Sequence, residues 1–253
     1  MKKILRITSL FLLVGAFTAG LFAETNGASR YDTSIEAKVT QKLGSKKEFR
    51  NVRATTEDGI VTLAGDVDVY QQKLDAAKHI RKVANVQGVR NLIAVSGKDV
   101  ADAQLTAQLD RKLYYDRMGY DNLFNYITAS VQNGVAVVSG EARTEYDRDS
   151  ALALVDNTPG VKDVVNDIRV APASFFDDGI RLRAARAIYR DSVLSRYAID
   201  PAYPIRIVVD NGKLSLYGTV ATQMEKNVAG IRANQIFGAF TVQNNLQVEQ
   251  KAS

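Results

Sequence analysis

Three short passages decide the fold: Asp58-Gly59-Ile60-Val61-Thr62-Leu63-Ala64-Gly65, Asn133-Gly134-Val135-Ala136-Val137-Val138-Ser139-Gly140 and Asn211-Gly212-Lys213-Leu214-Ser215-Leu216-Tyr217-Gly218. Each opens on Asp-Gly or Asn-Gly, the strongest short-range signal for a two-residue type I′ hairpin turn. Each places a second glycine six residues after the first, and each is followed, 26 residues beyond that glycine, by an asparagine: Asn91, Asn166 and Asn244. Agreement at two spacings in three places marks an internal repeat, which has to be recognised before any motif is read. Twenty residues after the second glycine stand Asn85, Gly160 and Gly238. Asparagine and glycine are the two residues that tolerate positive φ after a helix, so Asn85, not the nearby Gly88, aligns with the two glycines.

Outward from the turns the three copies read alike. An apolar stripe at helical spacing precedes each: Ile35, Val39 and Leu43, then Leu105, Leu109 and Leu113, then Ile180, Ala184 and Ile188. Alternating strands enter the turn at Val52–Thr55, Ile127–Val131 and Ile205–Val209, and return strands leave it at Ile60–Val67, Val135–Ala142 and Leu214–Val220. Second helices are expected over Gln71–Ala84, Glu145–Asn157 and Met224–Phe237, and last strands over Leu92–Val95, Val164–Val170 and Val242–Val248. The predicted class is α+β: three tandem αββαβ modules, each a three-stranded mixed sheet with two helices on one face. The predicted organisation is a signal peptide over 1–23 and modules over 24–97, 98–174 and 175–253, the second with an aromatic insert. A unit of this size sits near the lower limit of independent stability, and Ser96–Asp99 and Ala171–Ser174 are short linkers, so neighbouring modules are expected to lean on one another.

The leader reads as a secretory signal. Met1-Lys2-Lys3 is basic, an apolar run extends from Leu10 to Phe22, and Ala23 offers a small residue at the cleavage point. The run is too short for the roughly 20 apolar residues of a spanning helix. The expected location is therefore periplasmic. There is no cysteine, hence no disulfide, thiolate nucleophile or thiolate metal site. The net charge of +5 falls to +2 once Lys2, Lys3 and Arg6 leave with the leader, which speaks against nucleic acid as a partner.

The turn, the strand glycine and the late Gly-Val or Asn-Val leading to Asn-x-hydrophobic resemble the BON (bacterial OsmY and nodulation) family, most closely in Tyr203–Val220. The resemblance covers about residues 32–96, 105–171 and 180–249. It implies a periplasmic or outer-membrane-associated protein that binds phospholipid surfaces or envelope proteins and supports envelope integrity under stress, with no catalytic residues to transfer. The repeat residues (Gly59, Gly65, Asn85, Asn91, Gly134, Gly140, Gly160, Asn166, Gly212, Gly218, Gly238 and Asn244) read as backbone devices rather than chemistry.

The residues themselves argue against an enzyme. His79 is the only histidine, and no GxSxG, Walker or Rossmann pattern occurs. Asp147/Asp149 lie on a polar helix start, where carboxylates stabilise the helix N-terminus, and Asp177/Asp178 on a linker. No catalytic residue, metal or cofactor is expected. Two features carry binding. Arg181, Arg183, Arg186 and Arg190 on the opening helix of the third module form a candidate face for anionic lipid headgroups. Tyr114, Tyr115, Met118, Tyr120, Leu123 and Phe124 form a candidate apolar contact patch, unless the insert folds back over its own module. The alternative role is a chaperone-like or scaffolding protein that binds polypeptide at that patch or at a strand edge. The oligomeric state is not legible.

Overall fold

In the computed structural model the described residues are 27–115, 123–171, 173–198 and 205–249; the leader, Met118, Tyr120, Tyr203 and Pro172 lie outside them. The described chain is α+β and repeats one layout three times. The first module runs α1 (Asp32–Gly44), β1 (Arg53–Glu57), β2 (Ile60–Val67), α2 (Tyr70–Ile80) and β3 (Gly88–Val95). The second runs α3 (Asp102–Tyr115), β4 (Tyr126–Gln132), β5 (Val135–Ala142), α4 (Glu145–Asp156) and β6 (Asp163–Val170). The third runs α5 (Phe175–Tyr189), β7 (Arg206–Asp210), β8 (Lys213–Tyr217), β9 (Thr219–Val220), α6 (Gln223–Asn234), β10 (Thr241–Asn244) and β11 (Gln247–Val248).

In each module the return strand is central, antiparallel to the strand before it and parallel to the last one. In the third module the central and last strands form two short ladders, β8 with β10 and β9 with β11. The amides of Asn245 and Gln247, donating to the carbonyls of Leu216 and Gly218, bridge the break.

The turns have the backbone that the sequence demands. Asp58, Asn133 and Asn211 have φ near +50° (50, 54 and 49) and the following glycines 76, 76 and 75, as type I′ requires at both central positions. One carboxylate per module locks this turn to the start of the first helix. The amides of Asp58 and Gly59 donate to Asp32 at 2.9 and 2.8 Å, those of Asn133 and Gly134 to Asp102 at 2.7 and 3.0 Å, and those of Asn211 and Gly212 to Asp177 at 3.0 and 2.8 Å. Gly65 and Gly140 sit where a Cβ would collide with the carbonyls of Asn51 and Tyr126 on the neighbouring strand segment. The asparagines tie the last strand to the second helix: Asn91 and Asn244 donate to the carbonyls of Lys73 and Lys226, both at 2.7 Å.

The second helices end earlier than the apolar pattern implies. The helix α2 stops at Ile80, and a turn through Arg81–Ala84 then carries Val83 into the core before Asn85 adopts a φ of 70. Gly160 and Gly238, with φ of 100 and 94, close the equivalent turns. Local periodicity cannot separate such a turn from helix, because its apolar residue still falls on the core side.

Each module has its own buried core: Ile35, Phe49, Leu63 and Ile80 in the first, Leu105, Leu109 and Val138 in the second, and Ile180, Ile188, Leu194 and Leu214 in the third. The cores are not sealed from one another. Tyr70 of the first module packs against the second core, and Leu123 of the second module against the third.

Candidate docking surface on the third module

Four phenylalanines are gathered at one end of the third module by contacts of the backbone. Phe175 and Phe176 open α5, capped by Ser174, whose Oγ accepts from the Asp177 amide at 3.2 Å. Asp177 then clamps the Asn211-Gly212 turn. The Phe240 amide donates to the Gly212 carbonyl at 2.9 Å, which brings the α6–β10 connection to the same point. The Phe240 ring lies over Gly212, where a Cβ would run into it, and stacks on Phe176 at 5.6 Å and 29°. Phe237 is held by its carbonyl, which accepts from Arg183 Nε at 3.0 Å. The side chains are left in solvent: Phe175 is 97% exposed, Phe237 86%, Phe240 77% and Phe176 49%. Single exposed apolar residues are ordinary, but four phenylalanines exposed at one end of a small module are not.

The same backbone closes the corresponding end of the other modules without aromatic clustering. Gln87 and Lys162 donate to the Gly59 and Gly134 carbonyls at 2.8 Å each, as Phe240 does to Gly212. The positions of Phe175, Phe176, Phe237 and Phe240 are held by Arg30, Tyr31, Ala84 and Gln87 in the first copy, and by Val100, Ala101, Pro159 and Lys162 in the second. The fold therefore does not require the phenylalanines.

The arginine face is redrawn. At about 100° per residue, Phe175, Leu182, Arg183, Arg186 and Arg190 fall on one face of α5, and all five are exposed. Arg181 does not join them. It is 8% exposed, pairs with Asp178 at 2.7 Å and donates to the Val209 carbonyl at 3.0 Å. The i, i+3, i+7 spacing of the other three is what places it on the core side of the helix.

The described part of the aromatic insert is built into the seam between the second and third modules. The Phe124 ring lies between Arg143 and Arg181, at 4.4 and 5.3 Å from their guanidinium carbons, and Asp178 bridges the two arginines. The Tyr114 hydroxyl donates to the Ala198 carbonyl at 3.2 Å. Arg206 lies over the Tyr114 and Tyr126 rings at 5.0 and 5.8 Å, and burial lowers its affinity for its proton. Tyr126 stacks on Tyr217 at 5.8 Å and 19°, and Arg169 pairs with both Glu141 and Asp210. Tyr114, Leu123 and Phe124 thus engage the neighbouring module and are half-buried, whereas Tyr115 is 54% exposed.

Two groups with displaced titration lie where the first and second modules meet. Burial pushes the Asp156 carboxyl up to about 6. Burial and the Asp163 carboxylate push the Tyr70 hydroxyl up to about 12. His79 Nδ1 lies 2.7 Å from the Asp75 carbonyl and its ring meets Phe49 edge-on, a helix-packing role. Among the described residues no three His, Cys, Asp or Glu side chains are grouped to hold a metal, and no helix is long and apolar enough to cross a membrane.

This architecture has known relatives. The BON domain family matches residues 31–97, 101–172 and 186–250, and the chain belongs to that family. It is 26% identical over 145 residues to an "Uncharacterized protein in gshII 5'region" of Anaplasma centrale, covering 55% of this chain and 94% of that protein. It is 26% identical over 147 residues to "Osmotically-inducible protein Y" of Escherichia coli (strain K12), covering 54% of this chain and 72% of that one. A solved structure of CdsD, a structural protein of the type III secretion system of Chlamydia trachomatis, aligns with 85% of this chain and 92% of its own at 14% identity. Its TM-score is 0.25.

Proposed function

We propose that this chain is an exported envelope protein that acts by binding rather than turnover, and that it docks on anionic membrane surfaces through the tip of its third module. The observation that carries this reading is the exposure of Phe175, Phe176, Phe237 and Phe240 beside Arg183, on the helix face that Arg186 and Arg190 continue. Aromatic rings suit the acyl–headgroup boundary, and guanidinium groups suit phosphate oxygens. Magnitudes assign the roles. Burying a phenylalanine contributes about 1.5–3 kcal/mol, and a basic residue near an anionic surface about 1 kcal/mol. The rings therefore supply most of the affinity, and the arginines supply preference for negative charge. The leader at Met1–Ala23 and the BON membership support export and a place in the envelope, where such docking would help maintain integrity under stress.

Flotation with phosphatidylglycerol vesicles across a salt series tests this. Phe237→Ser/Phe240→Ser is expected to lose binding at every salt concentration, by about tenfold or more. Arg183→Gln/Arg186→Gln/Arg190→Gln is expected to lose only the salt-sensitive part. Undiminished flotation of both variants rules the reading out. A second reading, capture of unfolded polypeptide by strand addition, is favoured by the exposure of Leu92 (61%) and Val165 (49%) on the edge strands β3 and β6.

A further inference from the structure

We propose that a groove on the first module, between the ends of α1 and α2, binds a phosphate group. The groove has a volume of about 450 Å³ and is lined by Lys38, Gln41, Lys42, Ser45, Lys82, Val83 and Ala84. Lys38, Gln41, Lys42 and Ser45 follow an i, i+3, i+4, i+7 spacing, so they stand on one stripe of α1 and its C-cap. Lys82 comes from the turn that follows α2, and the buried Val83 forms an apolar floor beneath it. No carboxylate lines the groove. Among the described residues of this module the one ion pair is Lys46 with Glu48, outside the lining. Three lysines thus line one concave surface that holds no carboxylate.

The negative ends of two helix dipoles attract a cation each, which accounts for Lys42 in the last turn of α1 and for Lys82 beyond α2. Lys42 Nζ indeed lies 3.5 Å from the His79 carbonyl. Lys38 is a further turn from the helix end and is left unexplained by the dipole. The repeat supplies the control. The positions of Lys38, Lys42 and Lys82 are occupied by Gln108, Lys112 and Asn157 in the second module and by Arg183, Ala187 and Gln235 in the third. In the second module the single lysine is turned to Thr158 Oγ1, at 3.4 Å. The shared fold does not need three lysines here. Compact ammonium charges around a small depression match a phosphate dianion, whether free or as a lipid headgroup.

The assignment is independent of the membrane reading, since it uses a different module. Amide NMR of the full mature chain is followed during titration with orthophosphate at constant ionic strength, and separately with phosphatidylglycerol vesicles. Saturable shifts confined to residues 38–45 and 82–84 are expected with orthophosphate, and shifts that include these residues with vesicles, both weakened about tenfold or more in Lys38→Gln/Lys42→Gln/Lys82→Gln; the orthophosphate response is unchanged in Phe237→Ser/Phe240→Ser. A response to orthophosphate identifies the free anion as sufficient, and a response to vesicles alone identifies the headgroup; both support the groove. No saturable shift at these residues in either titration, or shifts that persist in the triple-lysine variant, overturn it. The three lysines are exposed, so an unchanged spectrum elsewhere verifies that the variant is folded.

Discussion

At the scale of single residues, the most consequential side chain is an aspartate that serves geometry. Asp32, Asp102 and Asp177 each satisfy two amides of a turn whose backbone is otherwise solvent-facing, and so fix the angle between first helix and hairpin. Asp177 is the most enclosed of these, at 8% exposure, so its hydrogen bonds are little weakened by water. Replacing Asp177 with Ala leaves two amides without an acceptor, and each such bond to a charged group is worth about 1.5–3 kcal/mol. The expected loss is about 3–6 kcal/mol by urea denaturation. A midpoint within error of wild type means that the clamp is dispensable. The placement of Phe240 beside Phe176 depends on the same clamp, so the variant should also weaken vesicle flotation.

At the scale of elements, the seam between α2 and α4 carries a pH dependence. Asp156, at the end of α4, is 8% exposed and faces the Tyr70 hydroxyl at the start of α2. Its folded-state pKa of about 6 lies above its ordinary 3.8. The folded chain therefore holds a proton that the unfolded chain has released, between about pH 4 and 6. Stability from this group is fully present below pH 4 and is lost as pH rises through 6. The size of the shift corresponds to about 2–3 kcal/mol. Asp156→Asn is expected to match wild type near pH 4 and to exceed it by that amount near pH 7.5. Parallel urea curves at both pH values check this, and a variant no more stable at the higher pH refutes it.

At the scale of the whole molecule, the modules are joined by side chains rather than by their linkers. Tyr70 reaches into the second core, and Phe124, Arg206 and Tyr126 knit the second module to the third. A chain of small domains thus offsets the limited core of each one. Phe124→Ala removes a ring between two guanidinium groups, a loss of about 2 kcal/mol from packing and cation–π attraction. Faster hydrogen exchange is expected in β4 and β7, with β1–β3 unchanged. Uniform protection across all three modules would show that the seam does not depend on this ring.

Much of this was legible in the linear chain. Asp-Gly and Asn-Gly, the strand glycines, and Asn85 in place of a glycine each report a backbone angle, and a backbone angle is a local property. Family, repeat number and element order follow from those residues. The cluster of phenylalanines was legible only after alignment of the copies, as four positions held by Arg, Tyr, Ala and Gln in the first copy and by Val, Ala, Pro and Lys in the second. The burial of Arg181, the use of Phe124 as a seam residue and the convergence of Lys38 with Lys82 were set by tertiary structure. Each depends on which surfaces meet after folding, and that is decided by packing between elements distant in the chain.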